Sequence, residues 1–510
     1  MKLFIVLLTG AFMLATGTSD VFAKKKEKVQ TEAKSDTVRT ASKKRNTQYP
    51  RLFKNKRVVT KKGLITIHKI DDKLYFEFPK SLLGREFLMG SSISATSDNT
   101  SGLVGQTMTT PLHIRFAIQE DQVYMQNVTP VSRMDVYSNQ SDISKAVAKS
   151  NITPDMESFK IAAYNMDSTA VVFEVTKFFL ADNKRLPLFD QNSSSLEDEK
   201  YGQLELKAVL KKNLSSIRNF YVFDDNLEIN LDMSFYQSLL ASKKEVRGGN
   251  VRVKAVYSML LLPEETMVWR LGDPRLGYTF TKKQKISTEK DGTAFSYLQH
   301  KWNLLPADEE AYRRGDLVAP RKPVVFYIDS DFPEAWKKAI KEGVNWWNEA
   351  FKMAGFKDAV QTADFPANDT TFYAGNLKYS CIRYVPVNLS KTQSKVWVDP
   401  RSGEIINGTI FVGHDIAKTI ASQRFVQTAQ VDERMRGIQL SEEVLLEGIR
   451  LYVAREVGHC LGLADNASAS AAFSVESLRS PEFTRQNGIA SSVMDELPYN
   501  YIAQPQDGKA

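Results

Sequence analysis

The chain has 510 residues, 42% of them hydrophobic, and a formal charge of +8. That length supports two or three domains with proper cores, and the composition excludes collagen, coiled coil and global disorder. Two cysteines and the lack of a later apolar run of about 18 residues exclude a disulfide-stapled miniprotein and a helical membrane protein.

The first segment, MKLFIVLLTGAFMLATG, has a single positive charge at Lys2 and an apolar run from Leu3 to about Ala15. Small residues follow, and Val21-Phe22-Ala23 offers a cleavage point, so residues 1–23 are expected to be a signal peptide. An uncleaved anchor is the alternative. No cysteine lies nearby to carry a lipid. The expected product is exported: periplasmic, cell-surface or secreted. Residues 24–62 carry 15 Lys/Arg against 3 acids, and residues 1–23 sum to zero. Taking that +12 from the total of +8 leaves −4 for the rest. A basic tail can serve nucleic acid or an anionic surface. Export argues against nucleic acid, so residues 24–48 are expected to be a solvated, disordered linker.

From residue 49 the pattern turns to short alternating runs: GLITIHKI, KLYFEFP, LHIRFAI and QVYMQNV. These predict strands joined by polar turns. Residues 139–160 are polar and break the pattern. It resumes in FKIAAYN, TAVVFEVTKFF, FYVFDDNLEINLDMSF and VRVKAVYSMLLLP. Residues 49–318 are therefore expected to be β-rich, as one or two subdomains. His68 and His113 each stand alone in a strand pattern and are expected to be structural.

The two prolines of Leu317–Pro323 mark a boundary. PVVFYID then predicts a buried strand, and PEAWKKAIKEGVNWWNEAFKMAGF a helix with Pro333 in its first turn and Gly355 at its end. Trp336, Ile340, Val344, Trp347 and Phe351 fall at helical spacing and predict a core face. A strand at 379–387 follows, and Asp-Pro-Arg-Ser-Gly predicts a turn between two further strands. A second helix is expected from Ser441, a good N-cap with Glu442 and Glu443 in its first turn. The fold class is thus α+β, a β-rich N-terminal region followed by an α/β unit at 319–510. Cys381 and Cys460 allow one disulfide or two buried free thiols, and free thiols are the expectation.

The second helix ends in VAREVGHCLGLADN, Val453–Asn466. Two histidines four apart on a helix can chelate Zn²⁺, with a glutamate beside the first as general base. A glycine three residues on permits a sharp turn that brings in a third ligand, above a Met-turn. Here those positions hold Arg455, Glu456, His459, Gly462 and Asp465, with Met494 as the Met-turn candidate. Glu456, His459 and Gly462 match; Arg455 and Asp465 do not.

At these residues the chain resembles exported metzincin-type zinc metalloproteases of Bacteroidetes-like bacteria, which carry a β-rich N-terminal region of unknown function. WRLGDPRLGY, PVVFYID, GVNWWNEAFKMAGFKDA, VDPRSGEI, REVGHCLGLADNASAS and VMDELPYNYIAQPQD carry the likeness. The resemblance implies a metzincin-like domain with a mixed twisted sheet, two long helices and a Met-turn. It implies zinc in the family, a catalytic role at the position of Glu456, and ligands at those of Arg455, His459 and Asp465. It also implies an edge strand that binds peptide, expected within Ile405–Gly413. Relatives usually extend further past the Met-turn; here 16 residues follow Met494.

Arginine stays protonated and offers no lone pair, so Arg455 cannot be a ligand. Asp465 can ligate through oxygen, but with His459 it gives two ligands where catalytic zinc takes three. The two changes suggest compensation: a buried, bidentate Arg455–Asp465 pair in the metal's place, which Glu456 could join. The preferred expectation is a pseudoprotease that holds no zinc, or holds it weakly, and still binds a peptide or protein segment in its cleft. One alternative is an active zinc endopeptidase using Glu456, His459 and Asp465, with His414 in reserve. Another is a structural envelope protein. His300 is expected to be surface or structural, and the oligomeric state is left open.

Overall fold

The structure, a computed structural model, describes residues 48–508 except 100–101, 106, 130–133, 137–140, 190–195, 199, 201, 287–293, 370–371, 388–391, 438 and 497. The expected signal peptide at 1–23 and the basic segment up to residue 47 lie outside the described residues.

The N-terminal region is built on one antiparallel sheet of 13 strands. Its longest members, Asn226–Ala241 and Lys244–Leu261, form a hairpin. Both turn residues, Ser242 and Lys243, have positive φ, the geometry whose twist matches two paired strands. The sheet curls until its first strands reach Ser216–Val222: the Leu64 amide donates to the Phe223 carbonyl at 2.6 Å. Alternating residues then point into a phenylalanine-rich core containing Phe76, Phe78, Phe116 and Phe173. The Phe78 and Phe116 rings lie 4.8 Å apart. Each such buried ring contributes roughly 1.5–3 kcal/mol.

The sequence runs at 66–79 and 112–127 appear as strands. Two elements escaped the pattern. Glu86–Thr96 is covered on both faces for most of its length, so it reads as a continuous apolar run. The polar stretch after residue 139 includes a helix, Ser141–Ser150.

The C-terminal region has a five-stranded sheet in the order Val360–Asp364, Val324–Ile328, Ser380–Val385, Glu404–Gly413, Thr392–Asp399. The first four are parallel and the last is antiparallel. The whole chain is thus mixed α+β, with a large β-rich N-terminal region. The expected edge strand within Ile405–Gly413 is corrected: that strand is internal, and Thr392–Asp399 forms the edge. The Asp-Pro-Arg-Ser-Gly turn joins the two as a hairpin, so the chain passes through the edge position before returning inside.

Helices Glu334–Asn345 and Glu442–Cys460 pack on this sheet. The first is interrupted only at Trp346, whose backbone stays right-handed, and continues as Trp347–Met353. The expected face from Trp336 to Phe351 packs into the core. A helix at Ile416–Thr428 had no clear sequence signal, because its buried positions Ile416, Ile420, Arg424 and Thr428 are half polar. Among the described residues no helix is long and apolar enough to cross a membrane.

The two regions interlock. Trp397 of the edge strand is buried among Leu88 and Leu260 of the large sheet and Leu262 just beyond it. Arg401 donates to the Pro263 carbonyl at 2.7 Å. Tyr278, just before Phe280–Ile286, bridges to Leu463 beyond the motif helix.

Candidate functional site

The motif helix Glu442–Cys460 starts where the sequence places it. The Ser441 hydroxyl accepts the Val444 amide, with Glu442 and Glu443 in the first turn. Its far end is fixed from three directions. Trp347 Nε1 donates to the Ala454 carbonyl and Trp302 Nε1 to the Cys460 carbonyl, both at 2.8 Å. At its end the Leu463 amide bonds the Gly458 carbonyl and the Gly462 amide the His459 carbonyl, each at 3.0 Å, the paired bonds of a glycine-terminated helix. Gly462 has φ +95°, and a Cβ there would lie 2.4 Å from the His300 carbonyl oxygen. The turn therefore needs glycine.

Met494 is buried beneath the helix. A Cβ on Gly458 would stand 2.2 Å from its Sδ, so the bare helix face at Gly458 makes room for the sulfur. The Met494 carbonyl accepts the Asn466 amide at 2.8 Å, tying this turn to the segment that carries Asp465.

Above that floor, Arg455, His459 and Asp465 converge. Arg455 Nη2 donates to Asp465 Oδ1 at 2.5 Å. His459 Nε2 lies 3.3 Å from the same oxygen. The other imidazole nitrogen, Nδ1, faces the Leu463 carbonyl at 3.0 Å; a carbonyl only accepts, so Nδ1 carries a proton. The expected pair forms, but in a different character. One guanidinium nitrogen engages rather than two, and the side chains are 25% and 47% exposed. Arg455 Nε, by contrast, is buried without a hydrogen-bond partner among the described residues.

Glu456 does not join this cluster. Its side chain is buried and Oε1 accepts from Thr392 Oγ1 at 3.0 Å. The neighbouring helix position turns it about 100° from Arg455, toward the sheet. The alternative ligand set of Glu456, His459 and Asp465 is therefore not assembled, and among the described residues no three His, Cys, Asp or Glu side chains form a group able to hold a metal ion. The remaining donors, one imidazole and one carboxylate already bonded to a guanidinium, do not fit a catalytic zinc ion.

The other histidines have structural partners. His68 Nε2 meets Glu77 and His113 Nε2 meets Glu86, each at 2.9 Å. His300 lies between the Thr279 and Thr281 hydroxyls at 3.0 and 2.9 Å, and burial pushes its imidazole down to about 4. His414 bonds the Tyr384 hydroxyl at 2.5 Å and stacks on Trp336. Cys381 and Cys460 are free and buried, and burial pushes both thiols up. Beside Arg455 a cavity of about 550 Å³ is lined by Trp346, Tyr452, Ile489, Val493 and Pro498. Sequence reading did not single out this pocket, because its walls come from four separate stretches.

Comparison with known families agrees with this picture in part. Residues 437–510 match a family described as Met-zincin. Residues 105–307 and 47–96 match two families described only as domains of unknown function (DUF5117 and DUF5118). The Met-zincin match covers the motif helix and Met494 and supports a metzincin-like relationship for this region. No curated protein matches the chain. No solved structure matches it either.

Proposed function

We propose that the protein is an exported, metzincin-like pseudoprotease that binds extended peptide without cutting it. One observation carries the reading: the residues at the first and third ligand positions, Arg455 and Asp465, bond each other at 2.5 Å. A guanidinium then stands where a metal ion would need a lone pair. The carboxylate that should activate water, Glu456, is spent on Thr392.

Peptide binding survives these changes because strand addition relies on main-chain hydrogen bonds. The edge strand Thr392–Asp399 starts against the motif helix through that same Thr392–Glu456 bond. The test uses fluorescently labelled casein fragments with the full chain. Binding that is equal in EDTA and in zinc, with fragments recovered intact, supports the reading. EDTA-sensitive cleavage overturns it, and absence of binding removes the peptide-binding half.

A further inference from the structure

A second cavity, of about 360 Å³, lies where the two regions meet, on the opposite face of the C-terminal sheet from the motif helix. The alternation of the strands shows this. Thr392 and Gly408 face the helix, at Glu456 and Cys460, while Lys395, Thr409 and Phe411 line the cavity. The opposite wall comes from the large sheet, with Glu228 and Asn230 on Asn226–Ala241.

This is a fixed space, not slack between domains. The buried Asn226 and Asn376 amides bond each other at 2.8 Å. Tyr373 donates to Glu228 Oε1 at 2.5 Å, and Asn230 Nδ2 to the same oxygen at 2.8 Å. Glu228 is thereby satisfied from both regions, and burial pushes its carboxyl up.

Two cations share the cavity, Lys395 and Arg383. Neither has an ion-pair partner within 4.0 Å among the described residues; Glu228, hydrogen-bonded by Tyr373 and Asn230, attracts both only at longer range. Lys395 Nζ lies over the Trp397 ring, 5.2 Å from its centre. An enclosed cation with no close ion pair is costly, and burial, only partly offset by Glu228, pushes Lys395 down to about 8. The remaining walls are mixed: Ile93, Leu377, Trp397 and Phe411 form an apolar part, and hydroxyls such as those of Ser92, Ser258, Tyr384 and Thr409 line the rest. Two cations with no close ion pair, beside the apolar part of the wall and in a volume within the usual range of small-molecule sites, describe a receptor for an amphipathic anion.

We propose that this cavity binds a small organic carboxylate with an apolar body, its carboxylate between Lys395 and Arg383 and its body against Trp397 and Phe411. A compact dianion such as phosphate would leave the apolar part of the wall unfilled and bring a second negative charge toward Glu228. The site is separate from the Arg455 cluster and does not depend on how that cluster is read.

The test is calorimetric titration of the full chain with 3-phenylpropionate and with its uncharged amide, 3-phenylpropanamide. The acid is expected to bind saturably and at least about tenfold more tightly than the amide. Lys395→Met is expected to weaken the acid by about tenfold or more and leave the amide unchanged, while Lys395→Arg retains binding and serves if the methionine variant does not fold. Equal affinity for acid and amide, insensitivity to Lys395→Met, no heat from the acid up to about 10 mM, or displacement of nothing but inorganic phosphate would each overturn the proposal.

Discussion

Replacing Arg455 with methionine removes the guanidinium that stands at the first-ligand position while keeping a long apolar stem in the helix. Two opposing effects set the outcome. The lost contact is one charge-assisted hydrogen bond between side chains 25% and 47% exposed, worth roughly 0.2–1 kcal/mol in such a setting. Against that, Arg455 Nε is buried with no hydrogen-bond partner among the described residues, and an unsatisfied buried donor costs on the order of 1–3 kcal/mol. Methionine relieves that cost and fills the same channel beside Trp346 and Tyr452. The expected change is a net stabilisation of between zero and about 3 kcal/mol. Urea unfolding followed by far-UV circular dichroism reads it, with an unchanged m-value as the check that compactness is the same. A loss above about 3 kcal/mol would be that of a broken buried ion pair and would refute the half-exposed, weakly coupled cluster described above.

Restoring both ligands, Arg455→His with Asp465→His, should give stoichiometric zinc after dialysis, because His459 Nδ1 is already committed to Leu463 and leaves Nε2 facing the site; no uptake would mean that the surrounding cleft has moved. Gly458→Ala places a methyl 2.2 Å from Met494 Sδ, and overpacking of this kind should cost roughly 1–3 kcal/mol in thermal unfolding, whereas an unchanged midpoint would show that Met494 does not form the floor. For Lys395 the folded value of about 8 lies below the ordinary 10.5, so between those values the unfolded chain binds more protons and stability rises with pH. Charged and titratable neighbours in that cavity are Glu228, Tyr373, Arg383 and Tyr384. Relative to Lys395→Met, the native chain should therefore gain roughly 2–3 kcal/mol between pH 7 and pH 10, and a flat difference would show the ammonium to be solvated.

The sequence made the motif helix legible from end to end. Ser441, the two acids after it and Gly462 are local signals with local causes, and all three act at the helix termini as their chemistry requires. The meeting of Arg455 and Asp465 could be inferred too, from opposite charges at two positions that a sharp turn brings together. What the sequence hid was set by the surroundings. Glu456 could have faced either the cluster or the sheet, and only the position of Thr392 decides between them. The edge strand was misplaced because strand order is not written in hydrophobic alternation. The helix Ile416–Thr428 lacked a stripe because Arg424 and Thr428 are buried as polar groups, the former paired with Glu447 and Asp432. The interdomain cavity draws Glu228, Tyr373, Arg383 and Lys395 from more than 160 residues of chain, a spacing at which no pattern connects them.

Zinc content of the dialysed full chain, measured together with cleavage of labelled casein with and without EDTA, bears most directly on the central claim that the Arg455–Asp465–His459 cluster has replaced a catalytic metal. The account predicts no stoichiometric zinc and no EDTA-sensitive cleavage. One tightly held zinc per chain with cleavage abolished by EDTA would contradict it.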